Sequence, residues 1–319
     1  MGTPDFAVPS LIAVLRDAHE ILAVVTRPDR PRGRGLELSP SPVKQSAVKH
    51  RFPVVQPSTC RSPQFVEWLR DVKPDVIVVV AFGQILPREV LEIPSLGCIN
   101  VHASLLPKYR GAAPINWALI RGERVTGVTT MYMSERLDAG DVILQKEVAV
   151  SPDDNAGTLH DKLKHEGADL LTVTLRLLGA GKAPRAPQDE SQATFAPSLT
   201  SKDEVIDWNR PAGDIRNHVR GMSPWPGAHT VKDGRKIKVL AATVLDSAGT
   251  EIHHLLRRQP EGAGRAGLVL AADETNGLVV QAGEGLVRLD EVQPEGGRRM
   301  PAADYLRGAR LAPGDVLGR

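Results

Sequence analysis

The chain has 319 residues, 41% hydrophobic and 24% charged, enough for a sizeable core and, at that length, for two domains rather than one. Its 40 basic and 38 acidic residues leave a formal net charge of +2, so no global field points to a polyanion and any such site must come from local clusters. Cys60 and Cys98 lack metal or redox spacing, which excludes a structural zinc or a disulfide framework, and no apolar run is long enough for a bilayer nor does a signal-peptide pattern open the chain, so a cytoplasmic protein is expected.

In chain order, MGTPDFAV puts a turn and a helix start directly behind Met1. A parallel sheet normally opens with an apolar strand ahead of such a turn, so the expectation is that this sheet lacks its first strand, that the true start lies upstream, or that residues 1–4 are a frayed terminus. ILAVV (21–25) reads as a short buried strand, and Ser41-Pro42 as a capped helix start running to Lys49. PVVQP is another short strand, and Ser62-Pro63 opens a second helix over QFVEWLRDV. PDVIVVVAF (74–82) is continuous and β-branched, the pattern of a central strand covered on both faces. CINVH (98–102) is a further strand, followed by a helix near 111–121, strands near 125–133 and 142–149, and a helix from the Asn155 cap to about Leu178. This alternation argues for an open parallel α/β sheet.

From 179 to 200 the sequence turns to Gly, Pro, Ala and polar residues without period, which is linker chemistry. Beyond 206 one helix (212–222) precedes short β-like runs separated by the turn signals DG, NG and GEG, so a small β-barrel is expected. The expected division is 1–180 as one domain, 181–205 as linker and 206–319 as the second domain. The segment 249–267 reads as a long surface loop.

The strand 98–102 ends in Asn100 and His102, two apart and therefore on one face, at the carboxyl end of a sheet where open α/β folds place their sites. Pro107 and Gly111 break the strand into a loop, and LDAGDVILQ (137–145) offers Asp138 and Asp141 as nearby acids. An amide donor, an imidazole and a carboxylate suit acyl transfer: the amide serves an oxyanion, the imidazole carries a proton, and the acid orients it. No side chain has the setting of an activated nucleophile, which favours direct transfer to an incoming amine. Taken alone, an Asn-x-His pair at a strand end is structural more often than catalytic.

The wording of the segment goes further. Asn-x-His, then SLLP-x-Y-x-G, then Asp-x-Gly across residues 100–140 resembles the 10-formyltetrahydrofolate-dependent formyltransferases. GTPDFAVPSL (2–11), PDRPRGRGLELSPSPVK (28–44), AFGQILP (81–87), IDW (206–208) and SPWPGA (223–228) resemble the branch that formylates methionyl-tRNA. The resemblance implies a Rossmann-like catalytic domain followed by an OB-like barrel that binds tRNA, with initiator Met-tRNA and 10-formyltetrahydrofolate as substrates, no metal, and a monomer. It makes Asn100, His102 and Asp138 catalytic. It puts the folate against Phe82, Gly83, Ile85, Leu86 and Pro87, against Ser104, Leu105, Leu106 and Pro107, and against Asp138. The loop DRPRGRG carries Arg30, Arg32 and Arg34, suited to phosphate, with Arg34 implied as the principal contact to the acceptor stem. Lys232, Arg235, Lys236 and Lys238 around a DG turn, with Arg298 and Arg299, form a candidate patch along the RNA backbone. Departures from the family pattern are the absent first strand, Leu36-Glu37 where basic residues are common, Phe82 in place of a frequent tyrosine, and Pro197-Ser198. A sugar-amine formyltransferase or a formyltetrahydrofolate hydrolase would use the same three residues, but the GRG loop and second domain argue against both. A non-catalytic RNA-binding protein is disfavoured by the intact triad, and a nicotinamide dehydrogenase by the lack of GxGxxG after a strand.

Overall fold

The computed structural model describes residues 1–17, 19–32, 37–245 and 264–318. The chain forms two compact units, one of residues 1–114, 125–150 and 160–197, the other of residues 115–124, 151–159 and 198–319.

Strand–helix alternation builds the first unit. A 3-10 turn (Asp5–Ala7) leads into α1 (Val8–Arg16), followed by β1 (Val24–Val25) and a hairpin of β2 (Arg30–Arg32) and β3 (Glu37–Ser39). Then come α2 (Pro42–Lys49), β4 (Val54–Val55), α3 (Pro63–Val72), β5 (Ile77–Val80), α4 (Arg88–Leu91) and β6 (Cys98–His102). α5 (Pro114–Ile120) belongs to the other unit from residue 115 on; β7 (Val125–Tyr132) and β8 (Val142–Ala149) follow in this one, and α6 (Ala156–Gly179) belongs to it from residue 160 on. The Ser-Pro starts work as caps: the Ser41 hydroxyl accepts from Lys44 N and the Ser62 hydroxyl from Phe65 N, while each proline has no N–H to leave unsatisfied.

The parallel sheet is present in the pairs β4–β1 and β5–β6, and antiparallel strands β7 and β8 extend it beyond β6. Direction was not legible for β7, because all but its first residue are buried, the pattern of a strand covered on both faces whatever its direction. Among the described residues, Met1 and Gly2 alone lie between β1 and β5. The Met1 amino group donates to Val78 O (2.6 Å), Val80 N to Met1 O (2.9 Å) and Gly2 N to Val25 O (3.0 Å). Two residues thus stand where the first strand was expected to be missing. One face of β6 is covered by α6, whose Gly167 comes so near Val101 that an added Cβ would sit 2.9 Å from its methyl. On the other face, Phe65, Leu69, Phe82, Leu86, Val90 and Cys98 form a buried cluster.

The second unit contains α7 (Ala212–Met222) and the strands β9 (Ala228–Lys232), β10 (Arg235–Leu245), β11 (Val269–Asp273), β12 (Gly277–Gln281), β13 (Leu286–Pro294) and β14 (Met300–Pro301). All pairs are antiparallel, in the order β11-β12-β13-β10-β9, with β14 on β13. The DG turn joins β9 to β10 with Asp233 and Gly234 both at positive φ (50° and 76°), as a two-residue hairpin requires. Trp208, Ile215, Met222, Val239, Val280 and Val287 lie in its core, and Trp208 Nε1 donates to Thr230 Oγ1 at 3.0 Å. The expected 249–267 loop lies outside the described residues as far as residue 263.

Candidate active site

Strand alternation explains why an apolar strand ends in an amide and an imidazole. Cys98, Asn100 and His102 share a face of β6. Cys98 starts that face inside the core, its Sγ 3.8 Å from Val90 O. Two residues on, Asn100 is half-buried, and its carboxamide has no hydrogen-bond partner among the described residues. His102 is 6% exposed and closes the strand.

The loop that follows folds back over the imidazole. His102 Nε2 lies 2.9 Å from Tyr109 O, so this nitrogen carries the hydrogen and donates to the carbonyl. Nδ1 faces Asp138 Oδ2 at 3.7 Å, within ion-pair range but longer than a hydrogen bond. The loop is fixed by side chains from neighbouring strands. Thr129 Oγ1 donates to Ser104 O (2.7 Å), Gln145 Nε2 donates to Leu106 O (2.7 Å), and the Ser104 hydroxyl donates to Lys108 O (2.6 Å). Gly111 N donates to Asp138 Oδ2 at 2.8 Å. Gly111 stands at φ +125°, and a Cβ there would fall 2.6 Å from Ala196 O, so only glycine closes this turn.

Asp138 is braced from the backbone side. Gln188 Nε2 donates to Asp138 O and to Gly140 O, both at 2.8 Å. Gln188 Oε1 in turn accepts from Arg110 Nε (3.1 Å) and Nη2 (2.8 Å), and the buried Arg110 also bonds Glu190. Hydrogen bonding from Arg110, assisted by Arg136, holds the Glu190 carboxyl below its ordinary range. In Asp-x-Gly the glycine has a steric reason: a Cβ on Gly140 would lie 1.8 Å from Tyr132 O, where the loop crosses the end of β7. Gln188, Glu190 and Thr194, whose carbonyl accepts from Arg110 N at 2.8 Å, all fall in the 181–205 stretch expected to be a linker. Sequence reasoning missed them, since the stretch has no periodicity and its partners are about 50 to 80 residues away in the chain.

Neither cysteine is a nucleophile at neutral pH, because burial pushes Cys60 to about 11 and Cys98 to about 12. Asp141 does not join the triad: its carbonyl accepts from Tyr132 N, and its carboxylate lies 4.0 Å from Arg185.

The residues expected to contact folate divide by exposure. Phe82, Leu86, Ser104 and Leu106 are buried, so these offer backbone groups rather than side chains, and the polar groups of Leu106 are already bonded to Thr129 and Gln145. Ile85 is 63% exposed and Gly83, at φ +78°, is exposed beside it; Leu105 and Pro107 are half-buried. Among the expected RNA contacts, Arg30 lies exposed in β2, Arg32 ends that strand, and Arg34 lies outside the described residues. In the second unit Glu295 N donates to Lys236 O, which brings the turn after β9 beside the turn after β13. Lys232 is paired with Asp315 and Asp233, Arg299 with Glu291, and Lys238 donates to Pro226 O. Arg235, Lys236 and Arg298 are exposed and carry no ion pair among the described residues.

Residues 1–175 match the family described as formyl transferase, and residues 198–310 match the formyl transferase C-terminal domain. The chain is 50% identical over 318 residues to the methionyl-tRNA formyltransferase of Moorella thermoacetica, covering 100% of this chain and 98% of that one. It is equally 50% identical to the methionyl-tRNA formyltransferase of Pelotomaculum thermopropionicum, covering 97% of it. Among solved structures it resembles an N-formyltransferase from Helicobacter canadensis in complex with folinic acid and dTDP-3-aminofucose, with a TM-score of 0.62 at 16% identity over 90% of this chain and 96% of that one. HypX from Aquifex aeolicus in complex with tetrahydrofolic acid gives 0.57 at 20% identity, covering 81% of this chain and 43% of that one. At such identities these two likenesses speak for the fold alone.

Proposed function

The chain belongs to the methionyl-tRNA formyltransferase family, and we propose that Asn100, His102 and Asp138 carry its reaction at the end of β6. It transfers the formyl group of 10-formyltetrahydrofolate to the α-amino group of methionine on tRNA, the initiator tRNA that starts translation. The amine nitrogen attacks the formyl carbon, and the carbonyl oxygen gathers negative charge in a tetrahedral intermediate. The bond from carbon to N10 of the folate then breaks as a proton passes from the amine to N10. The uncommitted Asn100 amide donates to the developing oxyanion. His102, with Nε2 bound to Tyr109 O, has Nδ1 left for a proton directed at the same oxygen and at Asp138. Asp138 orients the ring and can hold the water that relays the proton.

The observation that carries this reading is the 3.7 Å approach of Asp138 Oδ2 to His102 Nδ1, on the strand face that also presents Asn100. Ile85 offers exposed apolar surface for a pterin, and the Gly83 backbone offers polar groups beside it. Residues 1–180 are read as the catalytic domain, 181–205 as the connection and 206–319 as an OB-like tRNA-binding barrel. Support for a barrel comes from the end of the chain: Gly318 N donates to Val231 O beside β9, and Leu317 N to Gly267 O beside β11, both at 2.8 Å. Arg30, Arg32, Arg34 and the cationic turns of the second unit are read as RNA contacts. Among the described residues no helix is long and apolar enough to cross a membrane; action as a cytoplasmic monomer belongs to the same reading.

The test is formyl-methionine formation from charged initiator tRNA and 10-formyltetrahydrofolate. Asn100→Ala and His102→Ala should each lower turnover by about 100- to 1,000-fold, as losing one oxyanion donor does, with melting temperature little changed. Near-normal turnover in either variant rejects its role.

A further inference from the structure

Arg27 is a half-buried cation outside the triad, with no ion pair among the described residues. It stands just beyond β1, as Gly83 stands just beyond β5, so both lie at the carboxyl ends of strands. Its guanidinium runs along the Gly83 backbone. A Cβ built on Gly83 would fall 3.2 Å from Arg27 Nη1, 3.7 Å from Cζ and 3.8 Å from Cδ. Gly83 is exposed at φ +78°, a conformation that glycine adopts freely, and its missing side chain leaves the arginine room.

Both sides of this contact are held. Gln56 Nε2 donates to Arg27 O and to Asp29 Oδ1, each at 2.8 Å. Asp29, the acid nearest to Arg27 in sequence, is engaged by Lys44 Nζ at 2.6 Å and so leaves Arg27 its charge. Across the contact, Gln84 Oε1 accepts from Cys60 N (2.9 Å) and Phe82 O accepts from Thr3 Oγ1 (3.1 Å). A guanidinium held in this way gives up little freedom when it binds an anion, and its planar fork matches a carboxylate.

The surroundings say which anion. Val80 pairs with Val101, which sets the turn after β5 beside the end of β6, where His102 stands. That turn offers open backbone at Gly83 and apolar surface at Ile85, 63% exposed. A ligand bound along it meets an apolar side chain, a bare peptide and a cation. 10-Formyltetrahydrofolate has the matching parts: aromatic rings, and a glutamyl tail with two carboxylates.

Resting on the reading of this site as one for that donor, we propose that Arg27 binds a carboxylate of the glutamyl tail and makes the site prefer a donor with an acidic end. The contact with Gly83 favours the folate over a tRNA phosphate, since it turns the side chain to the turn after β5 and not to the hairpin that carries Arg30 and Arg32.

Two donors test this, 10-formyltetrahydrofolate and the same molecule with both glutamyl carboxyl groups converted to carboxamides, each with the unsubstituted protein, Arg27→Ala and Arg27→Lys. With the unsubstituted protein, the diamide should raise KM for the donor about tenfold and leave kcat nearly as it was, because the tail is bound equally in ground and transition states. Arg27→Ala should raise KM for the acidic donor by about the same factor and make the two donors equivalent. Arg27→Lys keeps the charge without the fork and should restore part of the discrimination. If Arg27→Ala still discriminates as strongly as the unsubstituted protein, the tail is held elsewhere and the proposal falls. A raised KM for Met-tRNA with an unchanged KM for the donor would assign the guanidinium to a tRNA phosphate and overturn it too. Calorimetric binding of both donors without tRNA reads the tail contact apart from turnover. Failure to formylate Met-tRNA would thus reject the reading of the site, while the donor comparison still decides the role of Arg27.

Discussion

Asp138 stands at φ 50°, in the left-handed region that aspartate tolerates better than most side chains but still at some cost. Its conformation is held by the two hydrogen bonds that Gln188 Nε2 gives to the carbonyls of Asp138 and Gly140, and Arg110 holds Gln188. Gln188→Ala removes both bonds and leaves Arg110 without one acceptor. Stability should fall by about 1–2 kcal/mol, and kcat by between about 10- and 100-fold through a displaced carboxylate, with KM nearly unchanged. Gln188→Glu keeps the size and the acceptor for Arg110 but cannot donate to either carbonyl, so it should lose turnover too. Steady-state kinetics on both variants check this, and normal kcat in either means Asp138 is held without Gln188. That Asn100 and His102 share a face at the end of a strand was legible in the sequence because strand alternation is local, and the steric demand at Gly140 likewise leaves a fixed spacing behind Asp138. Gln188 was not, because a glutamine in an aperiodic stretch shows its purpose only when the chain brings it back to residue 138.

At the level of elements, the helix starts were legible because a cap is a contact between near neighbours. Ser41 and Ser62 cap as expected, and Asn155 Oδ1 accepts from Gly157 N and Thr158 N. The strands were less so. ILAVV and PDVIVVVAF promised strands over 21–25 and 74–82, yet pairing is confined to Val24–Val25 and Ile77–Val80. Apolar β-branched sequence sets the propensity, but a ladder also needs a neighbour, and beside residues 21–23 and 74–76 lies a cleft of about 420 Å³ with Met1 at its mouth. Its mouth makes stability depend on pH. The Met1 amine has a pKa of about 6 when folded, against 8.0 for an ordinary amino terminus. Below pH 6 both folded and unfolded chains are protonated and the fold bears an enclosed charge; above pH 8 both are neutral and that cost is gone. Between these limits the unfolded chain binds more protons, so stability rises with pH, by about 2–3 kcal/mol in all. His19, Glu20 and Asp75 also line the cleft, and the buried His218 and His229, their pKa lowered by burial, contribute in the same direction. The Met1 share is isolated by comparing denaturant unfolding at pH 6 and pH 8 for chains with free and acetylated amino termini. Acetylation should remove the Met1 share and leave the smaller histidine part of the difference; an equal pH response in both would show that the amine is solvated.

For the molecule as a whole, a net charge of +2 gives little long-range attraction for tRNA, so binding must come from a few local cations. Counting basic residues in the sequence overstates them in the second unit, because a sequence does not show which charges are already paired. Lys232 and Arg299 are neutralised by Asp315 and Glu291, and Lys238 is tied to Pro226 O. Arg235, Lys236 and Arg298 remain, on two turns that the bond from Glu295 N to Lys236 O holds side by side. Each cation that neutralises a phosphate releases counterion, and the logarithm of affinity falls with the logarithm of salt by about 0.9 per contact. Replacing Arg235 and Lys236 together by alanine should therefore make that slope shallower by about 2, and weaken binding to initiator and other tRNAs alike, because backbone contacts carry no sequence information. Replacing Lys232 should change the slope much less, since its charge is already spent on Asp315 and Asp233. Filter binding across a salt series distinguishes these outcomes. A slope unmoved by the double variant would place the RNA away from these turns, and a large change on losing Lys232 would mean that its ion pairs open when RNA binds.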